Sequence, residues 1–413
     1  MSADGTPPEP SGGWGGGAPG PAAPRLAVIA PLIRQHAEEA AYLWYRRSLF
    51  IDDPLFTAVD IGRLDHRINA HLAGIDAAGQ AGREMALEIH DEDPTAGTVF
   101  LIAATALADA TPGAVDAALE IAFALEVLGL RGVSGALART EPAVLRPYVA
   151  SWLDAAEGRL RLLGLAALSH HRAGGNARLP RLLEDPDEAV RLRALRLVGE
   201  TGRVDCLDAV ETALTEDAPA VRMEAAWSAV LLGTGEPARP VLEAQVLDET
   251  FPDDRRLAAI DLRLLAGDGE ERRRWLGTLL KREDALAEMA LAAAGGPGER
   301  DILPWLLRQM TIPEKAAAAG RAFRDLFAID FNDTDLFTED ASRLGPSFAD
   351  REDTPLPDAA RIKAWLDDGG AAPEEETEPS MRQLRLRALR AAAASPAAPL
   401  ENWRRSRLHP AWM

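Results

Sequence analysis

Four stretches of this chain are variants of one another, and that repetition constrains the fold more than any other feature. They are GRLRLLGLAAL from Gly158, AVRLRALRLVGETG from Ala189, AVRMEAAWSAVLLG from Ala220 and DRRLAAIDLRLLAG from Asp254. An arginine near the start of each, at Arg161, Arg191, Arg222 and Arg255, marks intervals of 30, 31 and 33 residues. Three residues on, a small side chain recurs (Gly164, Ala194, Ala225, Ala258), and four further on an apolar one (Leu168, Val198, Ala229, Leu262). Spacings of three and four place these residues on one helix face. An interval of this length holds two helices of about ten to twelve residues and two tight turns. One such pair cannot bury its apolar face alone, so neighbours stack and share a continuous core. The chain therefore reads as all-α, an α-solenoid (α-α superhelix) of helix pairs.

The turns carry the same message. Asp185 in LLEDPDEAVR and Asp217 in LTEDAPAVR stand where N-caps are wanted, with Pro186 and Pro219 suited to a first helical turn. The same turn-then-helix order continues upstream, from Thr111 and Glu141, and downstream, from Glu283 and Pro313. Strand-like alternation of β-branched residues is missing. Five regions follow: a disordered Gly/Pro-rich tail (1–24), a degenerate N-terminal helical region (25–150), the repeat array (151–331), an acidic loop and linker (332–380) and a basic C-terminal helix and tail (381–413). The linker should hold one short helix, Asp358 to Leu366. The basic stretch MRQLRLRALRAAAA reads as a final helix that caps the array, or as an amphipathic helix for anionic lipid or a partner.

Charge excludes one class of partner. Lys+Arg 45 against Asp+Glu 65 leaves a net −20, the wrong sign for a chain whose main partner is nucleic acid. A single cysteine, Cys206, cannot form an internal disulfide and reads as buried packing. There is no basic leader before Arg25, and no run of about 18 uncharged apolar residues. The expectation is a soluble cytoplasmic protein without a membrane partner.

The chemistry-bearing residues are few. Asp65, Arg67 and His71 lie close together on one helix, an acid, a cation and a base that could do proton-transfer work. With no nucleophile fixed nearby, they read better as polar contacts between helices. His66 and His71 are five apart, and His170 and His171 are adjacent, so neither pair has the i, i+4 spacing of two metal ligands on one helix. The acidic run DFNDTD from Asp330 fails the calcium-loop template, since position six is Asp335 and position twelve Ala341. No phosphate loop, nucleophile elbow or dinucleotide fingerprint is present, so no catalytic residue, cofactor or metal is expected. Two pairs, Asp185 with Arg191 and Asp217 with Arg222, recur as a ladder that reads as inter-repeat hydrogen bonding. Trp44 and Trp227, if exposed, would be anchors for a protein partner.

The form D-P-D-E-A-V-R-x-R-A-L from Asp185, matched again from Asp217 to Ala226, resembles the HEAT-like repeats of phycobilisome lyase subunits. A wider resemblance is to an uncharacterised family of bacterial HEAT-like proteins, some encoded near type VI secretion genes. It rests on QHAEEAAYLWYRRS (Gln35 to Ser48), LDHRINAHLAGIDAAG (Leu64 to Gly79), HRAG (His171 to Gly174), Leu182 to Arg203, AAWSAVLLG (Ala225 to Gly233) and RAFRDLFAIDF. The resemblance implies a non-enzymatic scaffold that binds a protein partner, in its specific form an adaptor linked to type VI secretion. The alternatives are a HEAT-scaffold enzyme of bilin-lyase type and, against the charge, a nucleic-acid-binding HEAT protein.

Overall fold

The computed structural model describes residues 29–394 except 52, 54–55, 110–111, 174–176, 328, 330–334, 353–354 and 371–378. The expected tail (1–24), all of DFNDTD but Asp335, and residues 395–413 lie outside the described residues. Helices α1 (Ala30–Phe50), α2 (Ala58–Ala77) and α3 (Gln80–Glu92) come first. Then follow α4 (Ala96–Asp109), α5 (Pro112–Ala124), α6 (Glu126–Leu137), α7 (Pro142–Leu153) and α8 (Gly158–His170). The repeats give α9 (Leu179–Leu182), α10 (Glu188–Thr201), α11 (Leu207–Ala213), α12 (Pro219–Leu231), α13 (Arg239–Leu247) and α14 (Asp253–Leu265). They continue as α15 (Gly269–Leu279), α16 (Ala285–Ala293), α17 (Leu303–Met310) and α18 (Pro313–Phe327). After an irregular stretch come α19 (Ala359–Asp367) and α20 (Met381–Ala394).

The helices form two layers of an all-α solenoid. In the inner layer α1, α4, α6, α8, α10, α12, α14, α16 and α18 each pack on the next, and α5, α7, α9, α11, α13, α15 and α17 back them. One continuous core runs through the array. Its inner helices are long because the apolar repeat positions all fall on them: Leu163, Val190, Ala194, Val198, Val221, Ala225 and Ala229 are sealed from solvent. Two backing helices fall short of the expected ten to twelve residues, α9 with four and α11 with seven, whereas α13 has nine and α15 eleven.

Closeness between inner helices rests on small residues. At Gly199 an added Cβ would lie 2.7 Å from the Ser228 Cα. The backbones of α10 and α12 meet there, and the Gly199 N–H donates to Ser228 Oγ at 3.0 Å. The fourth repeat slips by one residue. Ala259, not Ala258, takes the sealed position.

Two parts differ from expectation. Between α18 and α19 the chain is more than a loop: β1 (Phe337–Thr338) pairs antiparallel with β2 (Leu356–Pro357). This ribbon buries Leu356 with Phe348 and Ala341 against Ala316 of α18. Two-residue strands are too short to show alternation in sequence. The second difference is α20, which does not cap an end. It packs on α12, α14 and α18 of the inner layer. At its start, the Pro379 carbonyl accepts from the Ala58 N–H at 2.8 Å, and Met381 packs with Ile51 and Ile61. Both ends of the array thus meet one helix. Arg382 explains the placement: it donates to Asp261 of α14 at 2.7 and 3.0 Å and to Asp325 of α18 at 2.9 Å. From Ser380 to Arg390 every residue is buried or half-buried, and Ala391 and Ala394 of α20 are exposed.

Candidate protein-interaction surface

The marker arginines are structural. Arg161 donates to the carbonyls of Ala155 and Ala156, Arg191 to those of Asp185 and Pro186, and Arg222 to those of Glu216 and Asp217, at 2.7 to 3.4 Å. Each guanidinium ties down the turn five and six residues before it, where backbone acceptors lie beyond the helix start. The expected carboxylate pairs, Asp185 with Arg191 and Asp217 with Arg222, do not form this way. The Asp185 carboxylate instead takes a two-pronged grip from Arg161 of the preceding repeat, at 2.7 and 2.8 Å. Nor do Asp185 and Asp217 cap helices. Asp187 caps α10, accepting from the Ala189 N–H at 3.0 Å, and the residue before α12 is Ala218.

The set Asp65, Arg67 and His71 is not assembled into one site. Asp65 accepts from Arg47 at 2.7 Å and from Arg139, joining α1 and α2 to the end of α6. Burial alone would push its carboxyl up, but Arg47 and then Arg139 overcome this and hold it below the usual carboxylate range. Arg67 reaches Glu39 at 3.6 Å on the surface. His71 meets His36 across the α1–α2 contact, Nδ1 to Nδ1 at 3.0 Å. Burial, followed by the charge of His36, lowers the His71 pKa.

Trp44 and Trp227 are not exposed anchors, with 2% and 3% of their surfaces accessible. Trp44 stacks on Phe100, ring centroids 4.9 Å apart, over Gly135, where a Cβ would strike the indole. Trp227 is covered by the Arg196 guanidinium, 3.6 Å above its ring. Both tryptophans pack inside the array. Cys206 is buried, and burial raises its thiol pKa. Among the described residues no three His, Cys, Asp or Glu are grouped to hold a metal, and no helix is long and apolar enough to cross a membrane.

A charged network that sequence reading passed over lies in the inner layer. Glu200 of α10 accepts from Ser169 Oγ at 2.6 Å and from Arg193 Nη2 at 3.0 Å, and lies 3.6 Å from Arg196. Arg196 donates to Glu224 of α12 at 3.1 Å. Burial opposes ionisation of Glu200, but the nearby guanidiniums, Arg193 first, hold its carboxyl below the usual range. Spacing could have revealed it. Arg193, Arg196 and Glu200 fall three, four and seven apart on the face that the repeat makes apolar.

Beside the network is a cavity of about 240 Å³, lined by Val127 and Leu130 of α6, Leu162 of α8, Leu192, Arg193 and Arg196 of α10, Glu224 of α12 and Arg255 of α14. All of these residues but Arg196 belong to the amino-terminal halves of successive inner helices, whereas Asp261 and Asp325, which hold α20, lie in carboxyl-terminal halves. One rim of the inner layer is therefore filled and the other is open. The open rim continues towards α1. A second cavity, about 580 Å³, lies between Tyr42 and Tyr45 of α1, Pro94, and Leu128 of α6. Tyr42, Tyr45, Leu49, Val127 and Leu128 are each about half exposed.

A search of curated proteins finds none that matches the chain. Residues 176–263, spanning α9 to α14, match a family model described as HEAT repeats. Further helices stack on both sides of that span, so the matched segment lies within a longer all-α array.

Proposed function

We propose that this protein is a non-enzymatic scaffold whose inner layer binds a protein partner along its open rim. The carrying observation is the run of half-exposed Tyr42, Tyr45, Leu128 and Val127 leading into the cavity beside Arg193. Contiguous exposed apolar surface of this kind is characteristic of interaction sites. A net charge of −20 argues against a polynucleotide in that role. The dispersal of Asp65, Arg67 and His71 onto separate partners gives the enzyme reading no assembled centre. In its finer form the proposal is a cytoplasmic adaptor associated with type VI secretion, supported by the family resemblance of Gln35 to Ser48 and Leu64 to Gly79. Affinity purification from the native cell, with wild type beside a Tyr45→Ser, Leu128→Ser double variant, tests it. A reproducible partner recovered with wild type and depleted with the variant is expected; equal recovery with both would sink the rim as the binding surface.

A further inference from the structure

The wall of the cavity beside the network is rich in cations for a chain whose net charge is −20: Arg193, Arg196 and Arg255 line it with Glu224, and Glu200 lies behind Arg193 and Arg196. Arg193 is 93% buried by the complement of its 7% exposure. Its Nη2 holds Glu200, but its Nε and Nη1 meet no acceptor. A buried cation with two unmet donors is a costly arrangement, and a new acceptor relieves that cost. Those donors are sealed just beneath the wall, so a small rotation of the guanidinium is needed to present them.

We infer that this cavity receives a single partner carboxylate, an aspartate or glutamate flanked by aliphatic side chains. This inference rests on the proposed scaffold role and adds the chemistry of the partner's anchor. A guanidinium N–H donating to a carboxylate makes a charge-assisted hydrogen bond, roughly twice as strong as a neutral one. Val127, Leu130, Leu162 and Leu192 supply apolar walls for the flanking residues. The rim fixes the number of acids at one. Glu126, Glu188, Asp253 and Asp254 stand exposed at the starts of α6, α10 and α14 and repel an acidic run or a phosphate backbone.

The test selects random peptides displayed on phage against the full-length protein, then measures the winners as synthetic fluorescent peptides. Winners carrying one acid among aliphatic residues are expected. Their affinity should fall at least tenfold on Arg193→Gln, on Ala189→Trp, which fills the cavity from an exposed position, and when the peptide's acid is replaced by its amide. Thermal melts of both protein variants check that the fold is kept. Winners lost on Leu128→Ser but indifferent to Arg193→Gln and to the amide overturn the carboxylate anchor and leave the scaffold role standing. No winners, or winners insensitive to every variant, overturn both.

Discussion

Single residues in this molecule act through the partners that packing gives them. His71 shows how a pH response follows. Its folded pKa lies below the ordinary histidine value because burial and the charge of His36 disfavour the proton; Arg67 adds to this and Glu39 opposes it. The unfolded chain therefore takes up a proton that the folded chain resists. This contribution to stability is full above about pH 6.5 and is lost as pH falls through that value towards the lower folded pKa. His90, lowered by burial, acts with the same sign. Melting temperatures between pH 8 and 5 should fall on acidification, with a shallower slope in His71→Gln; an unchanged slope would show that the His36 contact carries none of the effect. None of this was legible beforehand, since His36 and His71 are 35 residues apart and only the crossing of α1 and α2 brings them together.

Within elements, the repeat was readable because a period of about 31 residues and helical spacing are both local. Details depending on a one-residue choice were not. Asp185 and Asp187 both precede α10, and either could cap from sequence alone. The structure gives the cap to Asp187 because Asp185 is held by Arg161, a residue 24 positions back. Asp187→Ala should therefore cost ~1 kcal/mol of stability, whereas exposed Asp217→Ala should stay within ~0.5 kcal/mol. Urea denaturation of the two variants compares them, and equal losses would refute the assignment. Trp44 and Trp227 misled for a related reason. Helical spacing shows which residues share a face, but not whether that face meets solvent or the next helix.

At the scale of the whole array, both ends of the described chain meet on α20. Arg382 meets Asp261 across 121 residues of chain, and no local pattern announces such a contact. The reciprocal cap at the start of α20, where Ser380 N–H donates to Gln383 Oε1 and Gln383 N–H to Ser380 Oγ, is a sequence signal that places the helix start but not its neighbours. Burial pushes the Asp325 pKa up despite Arg382, a sign of how dry the junction is. Removing the cation leaves two buried carboxylates facing one another, at a cost of about 3–5 kcal/mol. In Arg382→Met, hydrogen exchange should quicken together in α20 and around Ile51 and Ile61. Faster exchange in α20 alone would mean that it does not tie the ends.

Order of synthesis gives this closure a second meaning. A ribosome delivers α14 and α18 well before Arg382, and repeat units pair with neighbours as they emerge. Until α20 is released, Asp261 and Asp325 have no counter-ion from it, and Ile51 and Ile61 lack Met381. A nascent chain that has not reached residue 380 is thus left open at a place that α20 later seals.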